Sequence, residues 1–238
     1  MDLRRILPKT LKPSTYLNIP IINAAVMLLD KEHHESDVER AVELILEHYF
    51  PYSEGWAKTP QFLTGELKRP DRMIEKFEGD GKFRPHIHVE LKSRKGDSLE
   101  NAAKQSASSL PMEVDNLEGD FQMFSLIIKG SQFYPFEYHN DRSNLYEDNV
   151  PSTYGLIPFN HAYKHAVDPQ NLVGRPHFRG TDTLAVGYEN DKGNLEVVKT
   201  LKGVGLCLLT DDVDIQNVIL WMKSNKPLVV THSGNSGG

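Results

Sequence analysis

Asp71, Glu90 and Lys92 are the residues whose types and spacing fit a hydrolytic site. Glu90-Leu91-Lys92 ends the run Phe83–Lys92, in which apolar and polar residues alternate. A strand's period of two turns Ile87, Val89 and Leu91 one way and His86, His88, Glu90 and Lys92 the other. Asp71 follows Pro70 at the start of an earlier extended run, 69–77, and Gly79-Asp80-Gly81 between the two runs is a turn signal. Pairing the runs as a hairpin brings Asp71 and Glu90 together near one end. Two carboxylates so placed repel each other unless a cation sits between them, and hard, oxygen-seeking Mg²⁺ or Mn²⁺ suits that place. A lysine beside them would position or help deprotonate an attacking water and neutralise charge building on a phosphate.

Each of these residues also has a plainer reading. Glu90 and Lys92 are equally an exposed same-face pair of small energetic weight. A second triplet, Glu66-Leu67-Lys68, lacks a preceding Pro-Asp hairpin and a following helix. His86-Ile87-His88 with Glu90 is the seed of a rival, a cupin-like site for Fe²⁺ or Zn²⁺, although the carboxylate stands close for that pattern. His161 and His165 are four apart, a spacing that can hold zinc, but have no acidic or cysteine partner in view. Arg94, Lys95 and Lys104 follow the triplet and offer a local phosphate-facing patch or an ordinary solvated face. The loop with Arg175 and Arg179 reads as a substrate loop or a surface turn, and Cys207 in an apolar run reads as core.

The elements that must position these residues are partly legible. Residues 35–50 are the clearest helix: Ser36 and Glu39 form an S-x-x-E capping box, and Val38, Ala41, Val42, Ile45 and Tyr49 recur at helical spacing. Pro51 ends it, and a loop through Pro60 follows. Residues 95–110 read as a second helix rich in small residues, and 122–130 and 132–139 as strands around Gly130-Ser131. After a polar stretch, 140–154, come a short helix candidate between Pro158 and Pro169, a hairpin about Asp191–Gly193, a helix over 212–224 and a last short strand, Leu228–Thr231. Residues 231–238 read as a flexible tail.

The 238-residue chain suits a single domain, with a core over about 35–140 and an extension over about 141–230. With 39% hydrophobic and 25% charged residues it is neither disordered nor fibrous. One cysteine excludes an internal disulfide and predicts an intracellular protein, in cytoplasm or nucleus. A net charge of −6 does not announce a nucleic-acid binder, so such a role would rest on a local basic patch. Residues 17–29 are too short and too interrupted for a membrane span and read as a packed first element.

Pro70-Asp71, the Glu90-Leu91-Lys92 strand and the helix after it resemble the PD-(D/E)xK, or restriction-endonuclease-like, nuclease superfamily. The resemblance covers about residues 35–130 and says nothing of 141–238. It implies an α/β fold, a central mixed sheet flanked by helices, built as a helix, a three-stranded antiparallel meander, a crossing helix and a further strand. A C-terminal α+β extension follows. It also implies a metal-dependent endonuclease acting on nucleic acid, DNA ahead of RNA, with Mg²⁺ or Mn²⁺ as cofactor. Asp71, Glu90 and Lys92 would be catalytic. Asp71, Glu90, Leu91 and an acid of the first helix, Glu39 or else Glu43, would stand at the metal, with Gln105 toward the substrate, where the residues' own reading adds Arg94 and Lys95. A homodimer stays open, and no membrane association is expected. The alternatives are a catalytically silent nucleic-acid- or protein-binding module on the same fold and the cupin-like metalloprotein.

Overall fold

The computed structural model describes residues 14–30, 34–60, 71–103, 105–106, 122–139, 156–159, 174–176, 185–189, 195–200 and 205–225. The chain opens with a 3₁₀ turn, Tyr16–Asn18, and helix α1, Pro20–Leu28, with proline at the first helical position, where its missing N–H costs nothing. Helix α2 spans Glu35–Tyr49. Strands β1, Trp56–Pro60, β2, Arg72–Phe77, and β3, Phe83–Lys92, form an antiparallel meander. A crossover with helical residues at 99–103 and 105–106 leads to β4, Gln122–Lys129, which lies parallel to β3. Strand β5, Gln132–His139, returns antiparallel, and its outer edge is shared by β6, Leu156–Pro158, and a later strand, Leu206–Cys207. Strands β7, Ala185–Glu189, and β8, Leu195–Thr200, form a separate hairpin; Leu206–Cys207 is therefore β9, and helix α3 spans Asp212–Ser224. The result is a mixed, mostly antiparallel sheet with helices: an α/β fold.

One face of the sheet packs on α1, α2 and α3. Ile74, Ile87, Val89, Leu91, Leu126 and Phe133 share a core with Val26, Val42, Ile45, Ile215 and Val218. An aromatic row crosses this face: Trp56, His86, Phe124, Trp221 and Phe159 succeed one another with ring centroids 5.0–5.8 Å apart. The other face carries Met73, Met123, Ile127, Phe136 and Tyr138 under Ala102 and Ala103 of the crossover helix, whose small side chains permit close approach. Among the described residues no helix is long and apolar enough to cross a membrane.

Three expectations need correction. Helix α2 begins at Glu35 with His34 as N-cap and no side-chain capping bond, so Ser36 and Glu39 make no capping box. Glu35 and Asp37 in the first turn suit the helix dipole instead. Residues 56–60, read as loop, form strand β1, the edge of the sheet among the described residues, and an edge strand tolerates a terminal proline. The alternation of β3 is not strict. Between Ile74 and Glu75 the pairing steps from Ile87 to Pro85, leaving His86 as the extra residue of a bulge. The short helix near 158–169, the final strand at 228–231, the tail, Lys104, His161, His165, Arg179 and the Glu66-Leu67-Lys68 triplet lie wholly or mainly outside the described residues.

Candidate functional site

The β2–β3 register, Arg72 opposite Val89, carries Asp71 to the level of Glu90 at the end of the meander. Asp71 is held by backbone: the Leu91 N–H donates to its Oδ2 at 2.6 Å. Leu91 thus contributes its amide to the site while its side chain lies in the core. Glu90 is fully buried and Lys92 nearly so, on a stretch of β3 that β4 flanks within the sheet. That overturns the expected open-face placement of the pair. Lys92 Nζ stands 2.6 Å from Glu90 Oε1 as an ion pair without a well-directed hydrogen bond, and Glu90 Oε2 has no hydrogen-bond partner among the described residues.

Electrostatics follow from this burial. Desolvation, then the Asp71 charge, push the Glu90 carboxyl up to about 7, with Glu35 adding to the rise and Lys92 opposing it. Asp71 is raised as well, by burial first; the Leu91 amide, Lys92 and Arg72 pull against that, and Glu39 adds to it. Burial drives Lys92 downward, but Glu90, Asp71 and Glu35 outweigh it, and its value ends above the ordinary one. At neutral pH Lys92 is an ammonium, suited to stabilising negative charge and unsuited to taking a proton.

Glu39 does not stand free beside the two carboxylates. Arg72, directly after Asp71, pairs with Glu39 and reaches Glu43 at 3.4 Å, while its Nη1 donates to the Asp71 carbonyl at 2.6 Å. Both glutamates are half-exposed, so these pairs hold geometry more than they add stability. Among the described residues no group of three or more His, Cys, Asp or Glu side chains is gathered to hold a metal ion. A Mg²⁺ site, however, is commonly made of one or two carboxylates plus water. Asp71 with the unpartnered, buried Glu90 Oε2 fits that smaller donor set.

The histidine arrangement differs from the expected one. The bulge turns His86 to the helical face, where its Nε2 lies 2.7 Å from the Met222 carbonyl and its ring meets Trp56 and Phe124. His88 points to the opposite face, fully buried, with Nδ1 at 3.1 Å from Ser106 Oγ and 3.2 Å from Ser125 Oγ. Burial lowers His88 to about 3, so its ring is neutral. The three-ligand His86–His88–Glu90 face therefore does not exist.

Gln105 is half-buried on the crossover helix beside Ser106, and Arg94 and Lys95 are exposed in the turn after Lys92. Sequence reasoning missed Arg72, whose one visible signal was its place directly after Asp71, with two glutamates spaced four apart on an earlier helix. It also left Arg175 undecided between two surface roles. Arg175 is buried, bound to Glu137 at 2.6 Å and to the Phe159 carbonyl at 2.7 Å, and lies over the Phe159 and Trp221 rings. No family model, curated protein or solved structure matches this chain, so its activity is to be read from the chemistry of the site itself.

Proposed function

We propose that the chain hydrolyses phosphodiester bonds of nucleic acid, DNA ahead of RNA, with Mg²⁺ or Mn²⁺, on a restriction-endonuclease-like core. The observation that carries this reading is a trio: Glu90, buried with one oxygen unpartnered among the described residues, Lys92, nearly buried against it, and Asp71, half-buried at its level just before β2. A buried carboxylate raised to about 7 by desolvation and a like charge is costly, and such groups concentrate where they are used. The order of helix α2, the β1–β3 meander, crossover helix and parallel β4 also agrees with the core implied by the resemblance.

When bound, the divalent ion would supply an acidified water and charge neutralisation at the phosphate. The chain's own parts are these. Asp71 and Glu90 hold the ion, the Leu91 amide fixes the Asp71 carboxylate, and Lys92 offers a full positive charge to the phosphate oxygens. Glu39 is kept on Arg72 at the rim.

The test is cleavage of plasmid and single-stranded substrates with Mg²⁺, Mn²⁺ or chelator. Asp71→Asn, Glu90→Gln and Lys92→Met should each abolish cutting, while Glu43→Gln should not. A folded wild-type protein that cuts no substrate with either ion would overturn the proposal. A folded wild type that binds nucleic acid but turns none over would instead identify the silent binding module.

A further inference from the structure

The turn that leaves the site is built around a cation of the protein's own. Register pairs Lys92 with Lys129 at the end of β4. Lys129 Nζ donates to three backbone carbonyls of the turn after Lys92: Ser93 at 3.3 Å, Arg94 at 2.9 Å and Gly96 at 3.2 Å. The next residue, Gly130, donates its N–H to the Lys92 carbonyl at 2.9 Å. Gly130 has a φ of +57°, and a Cβ there would come within 3.0 Å of Arg94 Cβ, so the turn lies directly on the glycine. The Gly96 N–H closes the turn on the Ser93 carbonyl at 3.1 Å. Carbonyl dipoles converge on one ammonium, whose charge-assisted bonds are about twice as strong as neutral ones. The exposed side of this turn carries Arg94 and Lys95.

We infer that Lys129 is a positioning residue, a tethered cation that shapes the 93–96 turn so that Arg94 and Lys95 meet the phosphate backbone of a nucleic acid next to Lys92. This rests on the nuclease reading for its substrate, and on the cage alone for its geometry. Lys129 touches neither substrate nor the Asp71–Glu90 pair; its effect reaches them through the turn. Phosphate contacts set register and affinity, so loss of the cage weakens binding more than chemistry.

The experiment compares wild type with Lys129→Ala in three measurements: steady-state cleavage, binding of a fluorescent oligonucleotide in chelator, and amide hydrogen exchange over 93–97. The variant should raise KM and the oligonucleotide Kd about tenfold, a loss equivalent to ~1.4 kcal/mol, with kcat within about twofold. Exchange over 93–97 should accelerate. Added n-propylammonium, which replaces the atoms removed beyond Cβ, should restore both protection and affinity. Unchanged KM and Kd would overturn the inference. So would unchanged exchange, or a loss of kcat at constant KM. A wild type that neither cuts nor binds nucleic acid overturns the site reading instead, and the exchange and amine rescue then still decide whether Lys129 holds the turn.

Discussion

Replacing Glu90 by glutamine removes a buried carboxylate while keeping its shape, and the effect on stability has a calculable pH signature. In the folded protein the Glu90 carboxyl is pushed from its ordinary 4.5 up to about 7 by burial and by Asp71. A raised folded value means that the group's contribution to stability is complete below about 4.5 and is lost as pH rises through about 7. The difference corresponds to about 3 kcal/mol. Wild type minus Glu90→Gln should therefore fall by about that amount between pH ~4.5 and ~8, as read by urea denaturation at each pH. The difference is the right observable because His88, lowered to about 3, pulls the opposite way in the acid limb of both proteins. Asp71, also raised, works in the same sense as Glu90 and is common to both. At pH ~8, Mg²⁺ at about a hundredfold its Kd should return about 2.7 kcal/mol to wild type and little to the variant. Parallel pH curves for the two proteins would refute the coupled, buried carboxylate, and an equal Mg²⁺ effect on both would remove Glu90 from the ion.

Arg175→Met should cost about 3–5 kcal/mol, because it removes the buried guanidinium that pairs with the buried Glu137, and adding Glu137→Leu should recover part of that loss. Thermal melts of the two single variants and the double variant close the cycle, and additive losses would show that the pair is not coupled. His88→Ala should flatten the acid limb of stability: wild type loses stability as pH falls from about 6.5 toward about 3, when the neutral ring must take a proton, and the variant has no ring to protonate. Identical acid limbs, followed by intrinsic fluorescence, would place the His88 ring in contact with solvent.

What the sequence revealed depended on whether a signal was local. The α2 periodicity, the alternation of Val89, Glu90, Leu91 and Lys92, and the turn glycines are local, and α2, the β2–β3 hairpin, the β4–β5 hairpin and α3 all stand where those signals fall. Strand β1 escaped because five residues with an intermediate composition and a terminal proline carry almost no pattern. That Asp71 and Glu90 meet near one end was legible from the hairpin, but their level was not: counted from Phe77 opposite Phe83, Asp71 would face Val89, and the bulge moves it to Glu90. The burial of Glu90 and Lys92 was not legible either, since alternation along one strand does not tell a covered face from an open one. The bulge at His86 was equally invisible, because alternation over ten residues gives no sign of where one residue slips. Arg175 and Glu137 lie far apart in sequence, and neither residue type predicts a fully buried partner.

The bulge makes β3 two strands in different phase. Beyond it, toward the turn, Phe83 comes opposite Phe77, and their tilted rings lie with centroids 5.2 Å apart at the exposed tip. Without the extra residue, Arg84 would take that place and the tip would present a cation opposite Phe77. On the other side, Ile87 to Lys92 keep their faces whatever happens at the turn. The hairpin therefore has a phase break between a surface free to vary and a site whose orientation is fixed. Insertions or deletions at the tip can be absorbed at residue 86 without turning Glu90 and Lys92 away from Asp71. A change in length between 87 and 92 has no such buffer.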